Sequence, residues 1–247
     1  MSKVLVIGES CTDIFIYGKS NRKSPEGNGP VFIPTKEVYG AGMAGNSSNN
    51  LASMGVDVDL FSNEYIETTK TRFVNEDTNE LYMRLDENDI SDRMDISQLT
   101  NVGDYDAILI SDYNKGFITE EDIEHISKLH PLVILDTKKK LGDWCKHLKF
   151  IKVNRSEYKR NESIIKKNDW LFEKMIITLD GDGSVYKGES VPTTKVESAD
   201  ISGAGDTYIA GFTVKYIETN DVLESMKWAN YCAGEVVKQK GVSIFKN

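Results

Sequence analysis

The chain has 247 residues, 39% of them hydrophobic, with 30 Lys and Arg against 39 Asp and Glu for a formal net charge of −9. That length and apolar content allow one full α/β core with a small added lobe, and leave too little for two large domains. The acidity, with the triplet 138–140 as the one basic cluster, argues against a nonspecific nucleic-acid binder.

In chain order, the apolar, β-branched run 3–8 ends on Gly8 and reads as a buried strand, too short for a signal peptide or a membrane span. Short alternating pieces at 14–17 and 31–38 flank a stretch rich in Ser, Asn, Gly and Pro, which predicts strands joined by a long loop. A helix is predicted over 43–54, stopped by Gly55, and a strand over 56–62. Runs 71–74 and 81–85 around Asn75-Glu76-Asp77-Thr78-Asn79 predict a hairpin that can pair with the pieces before Tyr39 into a separate small sheet. After Ser91, strands at 107–111, 132–136, 150–153 and 175–179 alternate with helices at 120–129 and from 156 onward. This is the rhythm of a parallel sheet with helices on both faces. Two helices, 203–217 and 222–239, close the chain. No repeat, heptad or low-complexity tract is present.

Asp13, Asp112, Asp136, Asn154 and Asp180 stand at or just past strand ends. Any one of them is equally a turn former, but five together favour one rim, because open parallel sheets bind ligands at the carboxyl ends of their strands. Cys11, Cys145 and Cys232 are odd in number and widely spaced, which fits a reducing, cytoplasmic setting, and His125, His130 and His147 lack zinc-ligand spacing. No Gly-x-x-x-x-Gly-Lys-Ser/Thr occurs, so a P-loop kinase is excluded.

The most informative segment is Asp200-Ile201-Ser202-Gly203-Ala204-Gly205-Asp206, just before an apolar helix. Small residues let the backbone turn tightly and present N–H groups at a helix N-terminus, which attracts a phosphoryl group in transit. Asp206 then falls in the first helical turn, where it serves either as a proton acceptor or as a routine stabiliser of helix-end N–H groups.

Gly203-Ala204-Gly205-Asp206 resembles the second signature of the ribokinase, or PfkB-type, carbohydrate kinase family. Gly40-Ala41-Gly42-Met43-Ala44-Gly45-Asn46, running on to Gly55, is similar to its first signature. Asn154-Arg155-Ser156-Glu157 matches its Asn-x-x-Glu motif, and Thr178-Leu179-Asp180-Gly181-Asp182-Gly183 its nucleotide-side turn. The motifs stand in the family's order over nearly the whole chain. Within the family, Ser111-Asp112-Tyr113-Asn114-Lys115-Gly116 makes the kinase module of ADP-heptose synthesis the nearest likeness, one that phosphorylates the anomeric hydroxyl of heptose 7-phosphate.

The resemblance implies a three-layer α/β/α fold with a mostly parallel central sheet and a small β-sheet lid at about 12–39 and 70–86, all within one kinase domain over 1–247. It implies Asp206 as the base with Gly203, Ala204 and Gly205 as the phosphoryl-binding turn. Asp13, Gly42, Asn46 and Asp112 would bind the sugar, and Lys70, Arg72 and Arg84 its phosphate. For the three cations a solvated hairpin face is an equal alternative. Lys138, Asn154, Thr178, Gly181, Gly183 and Asn230 would line the ATP side, while Asn154 and Glu157, sharing one helix face, would hold the water shell of Mg²⁺. A monovalent cation is a further implied auxiliary. A sugar or sugar phosphate is the expected partner, with a homodimer through the lid, and neither nucleic acid nor membrane. Other acceptors in view are ribose, fructose and fructose phosphate.

Two departures stand out. Members usually carry another helix-containing unit where only 63–70 joins the strand near Ser62 to the hairpin, so a strand and helix are expected to be lacking. The chain also ends at Asn247, soon after Gly241-Val242-Ser243, where relatives commonly continue. They motivate one rival, a trimmed, non-catalytic sugar- or nucleotide-binding protein. Another is an NAD-dependent oxidoreductase, from Gly40-x-Gly42-x-x-Gly45 with Asp59, but that motif does not open the first βαβ unit and its acidic residue sits at a strand start.

Overall fold

Apolar residues alternate between two faces along the central strands, and this alternation builds two cores. The computed structural model describes residues 1–63, 67–196, 200–239, 241 and 243–246. The elements are β1 Lys3–Gly8, β2 Ser10–Lys23, β3 Pro30–Met43, α1 Ala44–Ser53, β4 Asp57–Phe61, β5 Thr69–Asn75, β6 Leu81–Glu87, β7 Ala107–Asp112, α2 Glu120–Leu129, β8 Val133–Thr137, β9 Phe150–Asn154, α3 Arg155–Ile165, α4 Asp169–Phe172, β10 Met175–Thr178, β11 Ser184–Tyr186, β12 Glu189–Val191, α5 Ala204–Thr219 and α6 Val222–Val236. One sheet has the order β12-β11-β10-β9-β8-β7-β1-β4, parallel from β4 to β10 and antiparallel at β11 and β12. Leu5, Ile7, Ile108, Ile110, Ile151 and Val153 pack with Ile123, Ile126 and Ile165 of α2 and α3. Their neighbours Val4, Val6, Leu109, Ile134 and Phe150 pack with Leu51, Ile209, Phe212, Met226 and Ala229 of α1, α5 and α6. Strands buried on both faces are what a parallel sheet between helix layers requires.

The second sheet, in the order β3-β2-β5-β6, is the small one. Here the structure departs from the sequence expectation of short strands around a long loop: β2 and β3 are each 14 residues long and pair from Ser10–Met43 out to Lys23–Pro30. Much of β3 and all of β6 is exposed, so polar residues occupy strand positions that a hydrophobic pattern cannot mark. The predicted hairpin forms and joins β2 through a parallel pairing of β5. The hairpin β11–β12 carries positive φ at Lys187 and Gly188, the geometry of a tight primed turn, but its three-residue strands are too short to leave a periodic signal.

The large sheet ends on β4, where Asp57, Asp59 and Leu60 are exposed, and 64–66 of the short connection to β5 lie outside the described residues, as do Val242 and Asn247. Among the described residues no helix is long and apolar enough to cross a membrane.

Helix starts are locally encoded. At α2 the Thr119 hydroxyl accepts from Asp122 N, while the Asp122 carboxylate accepts from Thr119 N at 2.9 Å and is bridged by Arg93. Thr119→Ala, far from the cleft described next, should lower the unfolding free energy by about 1 kcal/mol, read as a shifted urea midpoint at unchanged m-value.

Candidate active site

Two cavities open at the carboxyl ends of the parallel strands. The larger, about 700 Å³, is lined by Thr178 and the turn after β10, by the apolar residues Ile201, Ala233 and Val237, and by Asp136, Lys138, Lys152 and Asn154. The smaller, about 510 Å³, lies under the small sheet and is lined by Asp13, Lys70, Arg72, Arg84, Lys115 and Arg160. Tyr113, Lys138, Gly203 and Asp206 line both. A ligand in each would therefore meet the other at Asp206.

Asp206 is the third residue of α5, whose N-terminus at Gly203 has no side-chain cap. Its carboxylate does not turn back to its own helix. It accepts from Asn46 Nδ2 of α1 at 2.9 Å and from the Tyr113 hydroxyl at 2.7 Å. Burial pushes its pKa up to about 6, against the pull of those two hydrogen bonds. Burial, reinforced by the Asp206 charge, drives the Tyr113 phenol well above its ordinary range, so it stays a donor.

Tyr113 is itself fixed by a buried glutamate. Glu9, just past β1, accepts from Tyr113 N at 2.8 Å and Lys115 N at 2.9 Å, so one carboxylate shapes the loop after β7. Asn46 is anchored in turn: Asn50 Nδ2 donates to its Oδ1 at 3.1 Å, and Asn50 Oδ1 accepts from Thr207 Oγ1 at 3.1 Å, tying α1 to α5. Gly42 is required by close approach, since a side-chain carbon there would fall 2.3 Å from Asp13 Oδ2 and 2.6 Å from Cys11 Sγ.

The model of the pfkB family of carbohydrate kinases matches residues 63–246. The chain belongs to the PfkB carbohydrate kinase family. It is 29% identical to the bifunctional protein HldE of Helicobacter pylori (strain J99 / ATCC 700824) over 299 aligned positions covering 99% of this chain and 64% of that protein. It is 27% identical to the bifunctional protein HldE of a Nitratiruptor species, covering 98% and 62%. The chain thus spans less than two thirds of these relatives' length. Among solved structures, phosphofructokinase-2 from Escherichia coli in complex with potassium superposes with a TM-score of 0.75 at 15% identity, covering 100% of this chain and 96% of that one. Ribokinase from Thermotoga maritima gives 0.71 at 17% identity, covering 98% and 95%. The fold is ribokinase-like, and the chain is a sugar-kinase unit of this family, a phosphotransferase acting on an alcohol group.

In this PfkB member the signature residues largely converge. Asp206, Gly203, Ala204, Gly205, Lys138, Asn154, Thr178, Gly181, Gly183 and Asn230 line the larger cavity. Asp13, Lys70, Arg72 and Arg84 line the smaller one. Two of the three cations are withdrawn from solvent: Lys70 is buried between Asp86 and Asp89, and Arg72 pairs with Asp13 and stacks over Phe15, whereas Arg84 stays on the exposed strand β6, paired with Asp86.

Four placements correct the sequence reading. Gly42 and Asn46 line neither cavity: Gly42 lies against Asp13 and Cys11, and Asn46 is buried with its amide bonded to Asp206 and Asn50. Asp112 lines neither cavity, because Thr137, Lys139 and Asn114 N occupy its carboxylate behind the rim. Asn154 and Glu157 do not share a helix face. Asn154 is the N-cap of α3, and the two form a reciprocal capping box at 2.8 Å each way, with the other Glu157 oxygen on Lys138 Nζ at 2.5 Å. Asn230 reaches the cavity wall, but its amide is spent on Val191 O and Ser184 Oγ, holding the β11–β12 hairpin to α6.

Sequence reasoning gave no role to Glu9, Tyr113, Lys115, Lys152 or Arg160. Glu9 and Lys152 had a signal: a charged residue beside or within an apolar strand of a sheet buried on both faces has to be paired or used.

If the Asp206 carboxyl is followed by carbon-detected NMR, its titration midpoint should lie near 6. The Tyr113 hydroxyl favours the ionised form, so Tyr113→Phe should move that midpoint upward; an unchanged or lower midpoint contradicts the hydrogen-bonded geometry.

Proposed function

We propose that the chain acts as one kinase unit that transfers the γ-phosphoryl group of ATP to a hydroxyl of a sugar phosphate, the anomeric hydroxyl of heptose 7-phosphate being the best-fitting acceptor. One observation carries the reading: a buried carboxylate at the junction of a larger, partly apolar cavity and a smaller, cation-lined one. Adenine and ribose take the larger cavity between the turn after β10 and α6, and the sugar takes the smaller one, its hydroxyls on Asp13. Asp206 accepts the proton of the attacking hydroxyl, and the uncapped N–H groups of α5 stabilise the phosphoryl group in transit.

The cations support a phosphorylated acceptor. In a chain of net charge −9, Lys70, Arg72, Arg84, Lys115, Lys138 and Arg160 surround one small cavity, and Arg160 bonds the Lys138 carbonyl while having no carboxylate partner among the described residues. The likeness to HldE and the Ser-Asp-Tyr-x-Lys-Gly run point the same way. The small sheet, at about 12–39 and 70–86, serves as lid. The outer strands β3 and β6 carry the exposed apolar residues Ile33, Tyr39, Leu81, Met83 and Leu85, a surface that suits a second copy of the chain. The three cysteines are free and buried, in keeping with a reducing, cytoplasmic setting.

Mg²⁺ fits as an ion that arrives with the nucleotide. No group of three acidic, His or Cys ligands occurs among the described residues, but Asp136 Oδ1 is buried in the phosphate end of the cavity without a hydrogen-bond donor, and Lys138 Nζ at 3.8 Å is too far to supply one. Asp136 and Asn154 would hold water molecules of an ion that keeps most of its own shell. When bound, the ion would neutralise phosphate charge.

Coupled ADP release should show sugar-dependent turnover with Mg-ATP, reduced about 10²- to 10⁴-fold in Asp206→Asn while ATP binding persists. Heptose 7-phosphate should exceed ribose, fructose and fructose phosphate in kcat/KM. A preference for an unphosphorylated sugar removes the heptose assignment, and binding without turnover of any sugar establishes a binding protein instead. Arg160→Ala should raise KM for the phosphorylated acceptor about tenfold or more, as expected for a lost charge-assisted hydrogen bond, with KM for ATP little changed.

A further inference from the structure

Lys152 sits in the middle of β9, 4% exposed, between the core residues Ile151 and Val153. Its side chain leaves the strand on the opposite face and ends 2.7 Å from Asp136 Oδ2, across the register pair Asp136–Lys152 on β8. A side-chain carbon added to Gly205 would fall 3.0 Å from Lys152 Nζ, so the ammonium lies directly against the first turn of α5. The same ammonium lines the larger cavity beside Asp206 and is close enough to favour the ionised form of that carboxyl.

Stability gives no reason for this pair. Two charges withdrawn from water cost several kcal/mol each, and apolar replacements of buried ion pairs are often neutral or stabilising. An ammonium carries three donors, and the hydrogen bond to Asp136 uses one of them. A donor-rich cation held at the lip of an uncapped helix N-terminus matches what a phosphoryl group in transit needs, since its charge spreads over three equatorial oxygens.

We infer that Lys152 is a catalytic residue of this kinase, donating from Nζ to an oxygen of the phosphoryl group as it passes over Gly205, with Asp136 as the positioning residue that aims it. In that step the bond from the γ-phosphorus to the bridging oxygen breaks, and that oxygen leaves with ADP. The bond to the sugar oxygen forms, the hydroxyl proton goes to Asp206, and Lys152 keeps its own proton throughout. The inference rests on the phosphoryl-transfer reading and not on which sugar is the acceptor.

Lys152→Met and Lys152→Gln are compared with the full wild-type chain for kcat on its best acceptor, ADP affinity and AMP-PNP affinity by calorimetry, and thermal midpoint. The expected result is a fall of about 10² to 10³ in kcat, the scale for loss of one preorganised donor, with ADP affinity within about twofold of wild type. Lys152→Ala should regain rate in primary alkylamines, which a structural role would not produce. The inference is overturned if kcat stays within about fivefold of wild type, or if ADP affinity falls in step with kcat. Should the wild type phosphorylate no sugar, the phosphoryl-transfer reading fails separately, and the ratio of AMP-PNP to ADP affinity still decides: a drop of about tenfold or more in a folded Lys152 variant upholds the γ-phosphate contact, and an unchanged ratio rejects it.

Discussion

Three elements meet at the carboxylate of Asp206, and much of the cleft follows from satisfying it. A buried carboxylate must be hydrogen-bonded, protonated or paired. Here Asn46 at the start of α1 and Tyr113 after β7 each give one hydrogen bond, from positions 160 and 93 residues away in sequence. Those donors are held by buried partners of their own, Asn50 for Asn46 and Glu9 for the loop bearing Tyr113. The carboxylate is thus the end of a polar chain running through α1, α5 and the segments just past β1 and β7, and a pKa near 6 is compatible with a base that is ionised at neutral pH yet still able to take a proton.

The large sheet supplies the other requirement, a rim. Its parallel strands deliver Asp136, Asn154 and Thr178 to one edge, and the antiparallel hairpin β11–β12 closes that edge behind the turn after β10. The small sheet delivers charge from above. Two sheets with different exposures therefore both serve the cleft: the buried one fixes short polar groups together with Lys138 and Lys152, and the open one adds Lys70, Arg72 and Arg84.

How much of this was legible depended on burial. Strands β1, β7, β8, β9 and β10 announce themselves because both faces are apolar, and the capping boxes at Thr119 and Asn154 mark helix starts to the residue. The length of β2 and β3 was hidden because exposed strands tolerate any polar residue, and β11 and β12 were hidden by brevity. At the site, glycine-rich turns were readable as motifs, whereas Asp112 showed how a strand-end acid can be consumed by its neighbours, Thr137 and Lys139. The Asn154 and Glu157 pair was readable as spacing, but spacing three apart describes a capping box as well as a shared face. Lys152 was visible as an anomaly in β9 without the contact that gives it meaning.

The cations of the smaller cavity are already matched from within: Arg72 by Asp13, Lys70 and Lys115 by Asp89, Arg84 by Asp86. An incoming anion therefore meets no bare positive charge among these four; it takes the place of a resident carboxylate, and its net gain is the difference between two paired states. A lone inorganic phosphate has little to add to that exchange. A ligand that also carries hydroxyls can occupy the carboxylate its phosphate has displaced, above all Asp13, so that both halves of the broken pair find new partners in one molecule. The pairing drawn across the cavity acts in this way as a filter, one that reads the spacing between an anion and a polyol instead of charge alone.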